Sequence, residues 1–306
     1  AANTWKKYPA RNLSTSCVKL PTINMFSNNI SIVLKQIEEH LANAGMVSAS
    51  AEAGLILSEI LDCKPLDLQF SSVKLTQKQL DTLENIVSRR EKHEPLQYIF
   101  GHAWFMNLCL DVGPGVLIPR PETELAVELI CRKAKPGDTV CDLGSGSGAI
   151  ALSIAYERSD LQVTSIELSD AALPYISENR NKYKLKNVEV VKSDLFAGVP
   201  GKRFDWIAAN LPYVTEAEYR SLPKDVLEHE PESALAAGPD GFDVIRKALE
   251  QLPEHLNPGG KVIFEIGEEQ GKAGVNLFKA TGIFDKVEIM QDLTGRDRFI
   301  TASSIT

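Results

Sequence analysis

No stretch of this 306-residue sequence approaches the roughly 18 to 20 apolar residues that a helix needs to cross a bilayer, so an integral membrane protein is not expected. Cysteine is scarce. The five present (Cys17, Cys63, Cys109, Cys131 and Cys141) are odd in number and scattered, with no C-x-x-C pair and no histidine at ligand spacing. Neither a disulfide framework nor a zinc site is indicated, and a reducing compartment is expected. Positive charge is also in deficit: 33 Lys and Arg against 41 Asp and Glu give a net charge of -8. Stable gripping of nucleic-acid phosphates needs clustered cations, so a protein or small-molecule partner fits better. Acidic residues are in turn missing from residues 1 to 37, which carry Lys6, Lys7, Arg11, Lys19 and Lys35. Two readings stand for that bias: an organellar transit peptide or its remnant, or a tail ahead of an internal start near Met25. The first places the protein in a mitochondrion or plastid, and a bacterial origin would place it in the cytoplasm.

What is present divides into four parts. Residues 1–26 form an extension. Residues 27–94 read as a small helical domain: Ile30, Val33, Leu34, Ile37 and Leu41 recur at helical spacing before Gly45, a second helix follows Ser48, and Thr76 with Gln79 forms a capping box for a third. Residues 95–121 are a linker in which Trp104 to Asp111, the turn Gly113-Pro114-Gly115, and Val116 to Ile118 read as a β-hairpin. From residue 122 to 306 strands and helices alternate, with strands at 139–143, 162–167, 188–191, 204–209 and 261–266 and two more near Val287 and Phe299. The fold class is therefore α/β, a doubly wound, mostly parallel seven-stranded sheet with an antiparallel edge hairpin. The stretch after Tyr213 reads as a loop rich in Pro and Glu.

Two segments carry chemistry. Strand 139–143 ends in Asp142, and Gly144-Ser145-Gly146-Ser147-Gly148 leads into a helix, the arrangement that sets backbone N–H groups against a nucleoside-bearing ligand. The same spacing satisfies the dinucleotide fingerprint of dehydrogenases. A carboxylate at Asp142, however, repels a pyrophosphate and suits a cofactor with a positive amino group and a sulfonium. Glu167 closes the next strand and can take ribose hydroxyls. Asp194 follows the third and can accept from an adenine amino group, or can cap the turn at Leu195-Phe196.

The second segment, Asn210-Leu211-Pro212-Tyr213, follows the buried run 206–209 and so lies at the carboxyl end of a strand, where open α/β sheets bind ligands. An amide or exocyclic amine is a poor nucleophile because its lone pair is delocalised. The Asn210 side-chain oxygen and the Leu211 carbonyl can each accept one N–H of such a group, turning the remaining lobe toward an electrophilic methyl. Pro212 stiffens the turn, and Tyr213 offers a ring to the planar group. No charged general base and no metal is required.

On these residues the chain resembles the release factor N5-glutamine methyltransferases, a class I family that uses S-adenosyl-L-methionine. The resemblance extends through Pro95-Leu96-Gln97-Tyr98-Ile99, the run from Pro114 to Glu124, Glu230-Pro231-Glu232, Gly238-x-Asp240-Gly241, Glu265-Ile266-Gly267 with Gln270, and Asp292 to Arg298. It implies a helical N-terminal domain that helps recognise the substrate protein, and a target glutamine in the Gly-Gly-Gln motif of peptide chain release factors. It also implies cofactor contacts from Gly144 to Gly148, Glu167, Leu195 and Asn210, and a substrate clamp from Asn210 to Tyr213; a monomer is expected. Leu211 stands where the family usually has Pro, Glu167 where Asp is common, and Leu195 where an aromatic can flank the adenine. Asn-Leu-Pro-Tyr also occurs in N6-adenine methyltransferases, which are the chief alternative; a nicotinamide dehydrogenase and a catalytically idle binding protein are the others. Arg120 is expected to pair with Glu122 or Glu124, or to meet a carboxylate of the ligand.

Overall fold

The computed structural model describes residues 25–70 and 73–305, and the basic extension lies outside them. Clustering of the chain by proximity gives two compact units that divide between Val87 and Ser88. The first is helical. Helix α1 (Ile30–Asn43) starts at Asn29, whose side chain accepts from the N–H groups of Ser31 and Ile32, and buries Ile30, Val33, Ile37 and Leu41. That stripe is the i, i+3, i+7 pattern of its sequence. Helix α2 (Ala49–Leu61) lies against it, and α3 (Gln77–Arg90) opens on the reciprocal capping bonds of Thr76 and Gln79, 2.9 and 3.4 Å long.

The second unit takes in the end of α3 from Ser88, then the short helix α4 (Leu96–Phe100) and a hairpin of β1 (His102–Phe105) and β2 (Leu108–Asp111). The hairpin turns at Met106-Asn107, not at Gly113-Pro114-Gly115, and residues 116–118 form no strand. Met106 adopts φ +50°, a conformation usually left to glycine, so the turn carries no glycine signal in the sequence. Gly113 to Gly115 instead shape the loop leading to α5 (Glu124–Lys133), a helix additional to those expected from the sequence.

Seven strands follow: β3 (Thr139–Leu143), β4 (Gln162–Glu167), β5 (Val188–Lys192), β6 (Phe204–Ala209), β7 (Leu256–Glu265), β8 (Phe284–Gln291) and β9 (Asp297–Ser304). Their order across the sheet is β5-β4-β3-β6-β7-β9-β8, parallel from β5 to β7, with β9 antiparallel between β7 and β8. Helices α6 (Ala149–Glu157), α7 (Leu173–Lys182), α10 (Asp243–His255) and α11 (Gly271–Ala280) make the crossovers. Buried side chains fill both faces of the sheet, one set around Val140, Ile150, Leu152 and Ile263, the other around Leu143, Ile207, Phe264 and Phe278. Coverage of both faces explains why β3 and β6 read as continuous apolar runs rather than alternating ones. The expected loop after Tyr213 contains two short helices, α8 (Glu216–Tyr219) and α9 (Lys224–His229); a capping box between Thr215 and Glu218 starts the first. Among the described residues no helix is long and apolar enough to cross a membrane.

Candidate active site

Topology places the carboxyl ends of β5, β4, β3 and β6 side by side, and with them the loops bearing Asp194, Glu167, the glycine run and Asn210. The N–H groups of Gly144 and Ser145 both donate to the Ile166 carbonyl, at 2.9 and 3.0 Å, so the glycine loop starts as a continuation of the β3 and β4 pairing. Glu167 is 8% exposed and accepts from the Gly146 N–H and the Ser169 N–H, each at 2.7 Å, tying the loop after β4 to the glycine loop. Ser145 Oγ donates to the Asp142 carbonyl, and Asn179 of α7 holds the Ser147 carbonyl from behind. Gly148 leads into α6.

Asp142 is 1% exposed; one carboxylate oxygen accepts from Ala151 N–H at 3.0 Å, and the other has no hydrogen-bond partner. Burial is the main reason its pKa rises to about 7; the Glu167 charge adds to the rise, and the Ala151 N–H bond with the nearby Ser145 hydroxyl opposes it. A buried carboxylate with an unused oxygen is able to accept from a cationic group.

Beyond β5, Asp194 is exposed and its side chain caps nothing, which removes the helix-cap reading of that residue. Leu195 is buried at φ +47°, a strained backbone for leucine of the kind that collects at functional sites.

Leu211 is buried rather than merely tolerated. Its Cδ2 stands 2.9 Å from where a Cβ would lie on Gly144, which is held at φ +76°, so the leucine methyl and the bare glycine fit each other across β3 and β6. Asn210 Nδ2 donates to Thr123 Oγ1 at 3.1 Å; Thr123 donates to Glu265 at 2.6 Å; and the Tyr213 hydroxyl donates to the other Glu265 oxygen at 3.1 Å. Glu265, at the end of β7, is 1% exposed, and burial pushes its pKa up against the pull of both hydroxyls and of Arg298. Burial likewise raises the Tyr213 hydroxyl, with the Glu265 charge adding to it.

The backbone of Tyr213 is held as firmly. Gln270 Nε2 donates to its carbonyl at 2.9 Å and to that of Asp240 at 3.1 Å, while Gln270 Oε1 accepts from Gly267 N–H. Gly241 sits under the same carbonyl at φ +76°, where an added Cβ would collide with the Tyr213 oxygen and Gln270 Nε2. Gly241→Ala is accordingly expected to destabilise the protein by about 1–3 kcal/mol and to lower its turnover by displacing Tyr213; thermal unfolding and steady-state rates check both effects.

The sequence points to no individual role for Thr123, Glu265 or Gln270, although each lies in a segment that carries the family resemblance. The available signal was a carboxylate directly ending the apolar strand Val262 to Phe264, a position that demands partners. Arg120 pairs with Glu230 at 2.6 Å, not with Glu122 or Glu124; Glu230 is buried and also accepts from Ile118 N–H. This pair fastens the 118–120 segment to the end of α9.

The strand order, the glycine loop and the acidic residue closing β4 define a class I methyltransferase. A methyltransferase of known structure from Pyrococcus furiosus shares the fold at a TM-score of 0.50 and 20% identity, over 66% of this chain and 91% of that one. Family models match as well, the PrmC N-terminal domain over residues 33–101 and the Methyltransferase small domain over residues 121–238. The release factor glutamine methyltransferase of Thermodesulfovibrio yellowstonii is 37% identical over 251 residues, 81% of this chain and 90% of that protein. That of Geobacter sulfurreducens is 36% identical over 269 residues, 88% and 94% of the two chains. The chain belongs to the release factor glutamine methyltransferase family.

Proposed function

We propose that this enzyme methylates the side-chain amide nitrogen, N5, of the glutamine in the Gly-Gly-Gln motif of peptide chain release factors, with S-adenosyl-L-methionine as donor. The observation that carries the reading is the seating of Asn210 to Tyr213 at the end of β6 directly beside the glycine loop after β3, with Leu211 against Gly144. A nucleophile held by the first is brought next to a cofactor held by the second.

The residues present fit that cofactor. Asp142 offers an unused buried carboxylate oxygen to a positive group, and Glu167, with Gly144 to Gly148, lies where ribose and the amino-acid end would be held. Asp194 and Leu195, at the end of β5, would border the adenine. When bound, S-adenosyl-L-methionine supplies an electrophilic methyl on a sulfonium. The Asn210 side-chain oxygen and the Leu211 carbonyl each accept one N–H of the substrate amide, which fixes the nitrogen and favours a tetrahedral lone pair facing the methyl. The Tyr213 ring lies against the planar amide while its hydroxyl is held by Glu265. Methylation makes the nitrogen more acidic, so its proton can leave to solvent without a charged base. The helical N-terminal unit would take part in recognising the release factor. A net charge of -8 disfavours the nucleic-acid alternative.

The test is transfer of labelled methyl from S-adenosyl-L-methionine to a purified release factor, to its Gln→Ala variant at the Gly-Gly-Gln motif, and to ribosomal RNA. Label is expected in the intact factor alone. Label confined to RNA would transfer the assignment to the adenine enzymes.

A further inference from the structure

A hydrogen bond has a direction, and the buried network behind Asn210 imposes one. An ionised carboxylate can only accept, and Glu265 accepts twice, from Thr123 Oγ1 on one oxygen and from the Tyr213 hydroxyl on the other. Thr123 has one hydroxyl proton and has given it to Glu265. Toward Asn210 it therefore presents lone pairs alone, and the Asn210 amide must turn its NH2 to the threonine, at 3.1 Å. The amide oxygen is left as the outward branch.

We propose that Glu265 and Thr123 are positioning residues for methyl transfer: the carboxylate, acting through the threonine hydroxyl, sets which way the Asn210 amide is turned and so presents oxygen, not nitrogen, to the substrate. A reversed amide would put two donors against the N–H groups of the incoming glutamine. The reach of the device is wide in sequence and short in space, since Thr123, Asn210 and Glu265 come from the segment before α5, the end of β6 and the end of β7. Thr123 and Glu265 are 3% and 1% exposed, so no solvent competes for the two bonds that carry the direction. Burial raises the Glu265 carboxyl; the hydrogen bonds from Thr123 and Tyr213 and the Arg298 charge pull it back toward the ionised, acceptor-only form.

This inference rests on the reading that the Asn210 oxygen accepts from the substrate amide, and the experiment separates the two. Steady-state kinetics with a release factor and S-adenosyl-L-methionine, together with calorimetric cofactor affinity, are measured for Thr123→Ser, Thr123→Val, Thr123→Ala and Asn210→Ala. Thr123→Ser keeps the hydroxyl and loses volume; Thr123→Val keeps the volume and loses the hydroxyl. Direction-setting predicts that the serine variant stays within about threefold of wild type, while the valine variant loses roughly 100-fold in kcat with little change in KM or cofactor affinity. Simple packing predicts the opposite order, and a valine variant as fast as the serine one overturns the proposal. Should Thr123→Val fail to fold, Thr123→Ala decides: it differs from Thr123→Ser only by the hydroxyl, so an alanine variant as fast as the serine one also overturns the proposal. Asn210→Ala at full turnover would instead remove the underlying reading of the site, whereas an inactive Asn210→Ala beside an active Thr123→Val removes only the direction-setting role.

Discussion

Asn210→Ala is expected to lower kcat for methyl transfer to a release factor by about 10²- to 10³-fold while cofactor affinity changes only a few-fold, because the acceptor removed is used mainly as the amide nitrogen reacts. The side chain is half-buried, and its NH2 group is committed to Thr123, so its oxygen is the part with work left to do. Truncation leaves the backbone of the segment in place, since Leu211 remains buried against Gly144 and Tyr213 remains held by Gln270 and Glu265. The rate loss should therefore appear without a large fall in melting temperature. Rapid-quench single-turnover measurements with saturating cofactor separate chemistry from binding. A single-turnover rate equal to that of wild type would show that the amide does not hold the reacting nitrogen.

Asp142→Asn is expected to act in opposite directions on stability and on cofactor binding. In the ligand-free fold, burial raises the Asp142 carboxyl to about 7, from an ordinary value near 4 in the unfolded chain. A carboxyl whose folded pKa is raised binds its proton more tightly in the native state. Its contribution to stability is therefore present at low pH and is lost as pH rises from about 4 through about 7. At pH 8 the ionised, half-unpartnered carboxylate costs roughly 4 kcal/mol relative to its protonated form, and Asp142→Asn, which never ionises, should melt higher than wild type there. At pH 5, where Asp142 is already neutral in the fold, the two should melt within a few degrees of each other. Cofactor binding runs the other way. A cationic ligand favours the ionised form, so wild type should release a proton on binding S-adenosyl-L-methionine below pH 7, and the asparagine variant should bind it about 10- to 100-fold more weakly at pH 8. Calorimetric titrations in buffers of different ionisation enthalpy count the protons. Equal destabilisation of the variant at pH 5 and pH 8 would contradict the raised carboxyl.

The legible and the illegible parts of this chain differ by the range of the forces involved. Strands β3, β4 and β6 could be bounded from the sequence because each is a short apolar or β-branched run stopped by Gly, Asp or Asn, and those stops act within a few residues. The hairpin was misplaced for the same reason in reverse. Gly113-Pro114-Gly115 carries the stronger local turn signal, yet pairing of Ala103 with Leu110 and of Phe105 with Leu108 buries all four side chains, and that gain outweighs the cost of Met106 at positive φ. Arg120 shows how far a local guess falls short. Two glutamates lie within four residues of it, and it chooses Glu230, which the fold buries and which would otherwise stand as an unpaired charge.

By itself the sequence determined that an α/β sheet would follow a helical segment, that a glycine loop and an Asn-Leu-Pro-Tyr segment would each end a strand, and which chemistry those residues suit. These are consequences of periodicity, turn preference and functional-group chemistry, all readable along the chain. Only the tertiary structure decided that β9 enters between β7 and β8, that Leu211 meets Gly144, and that Thr123 and Glu265 stand behind Asn210 and Tyr213. Strand order and buried hydrogen bonds depend on which distant segments share one core, and the partner that satisfies a buried polar group is known only once that core has closed around it.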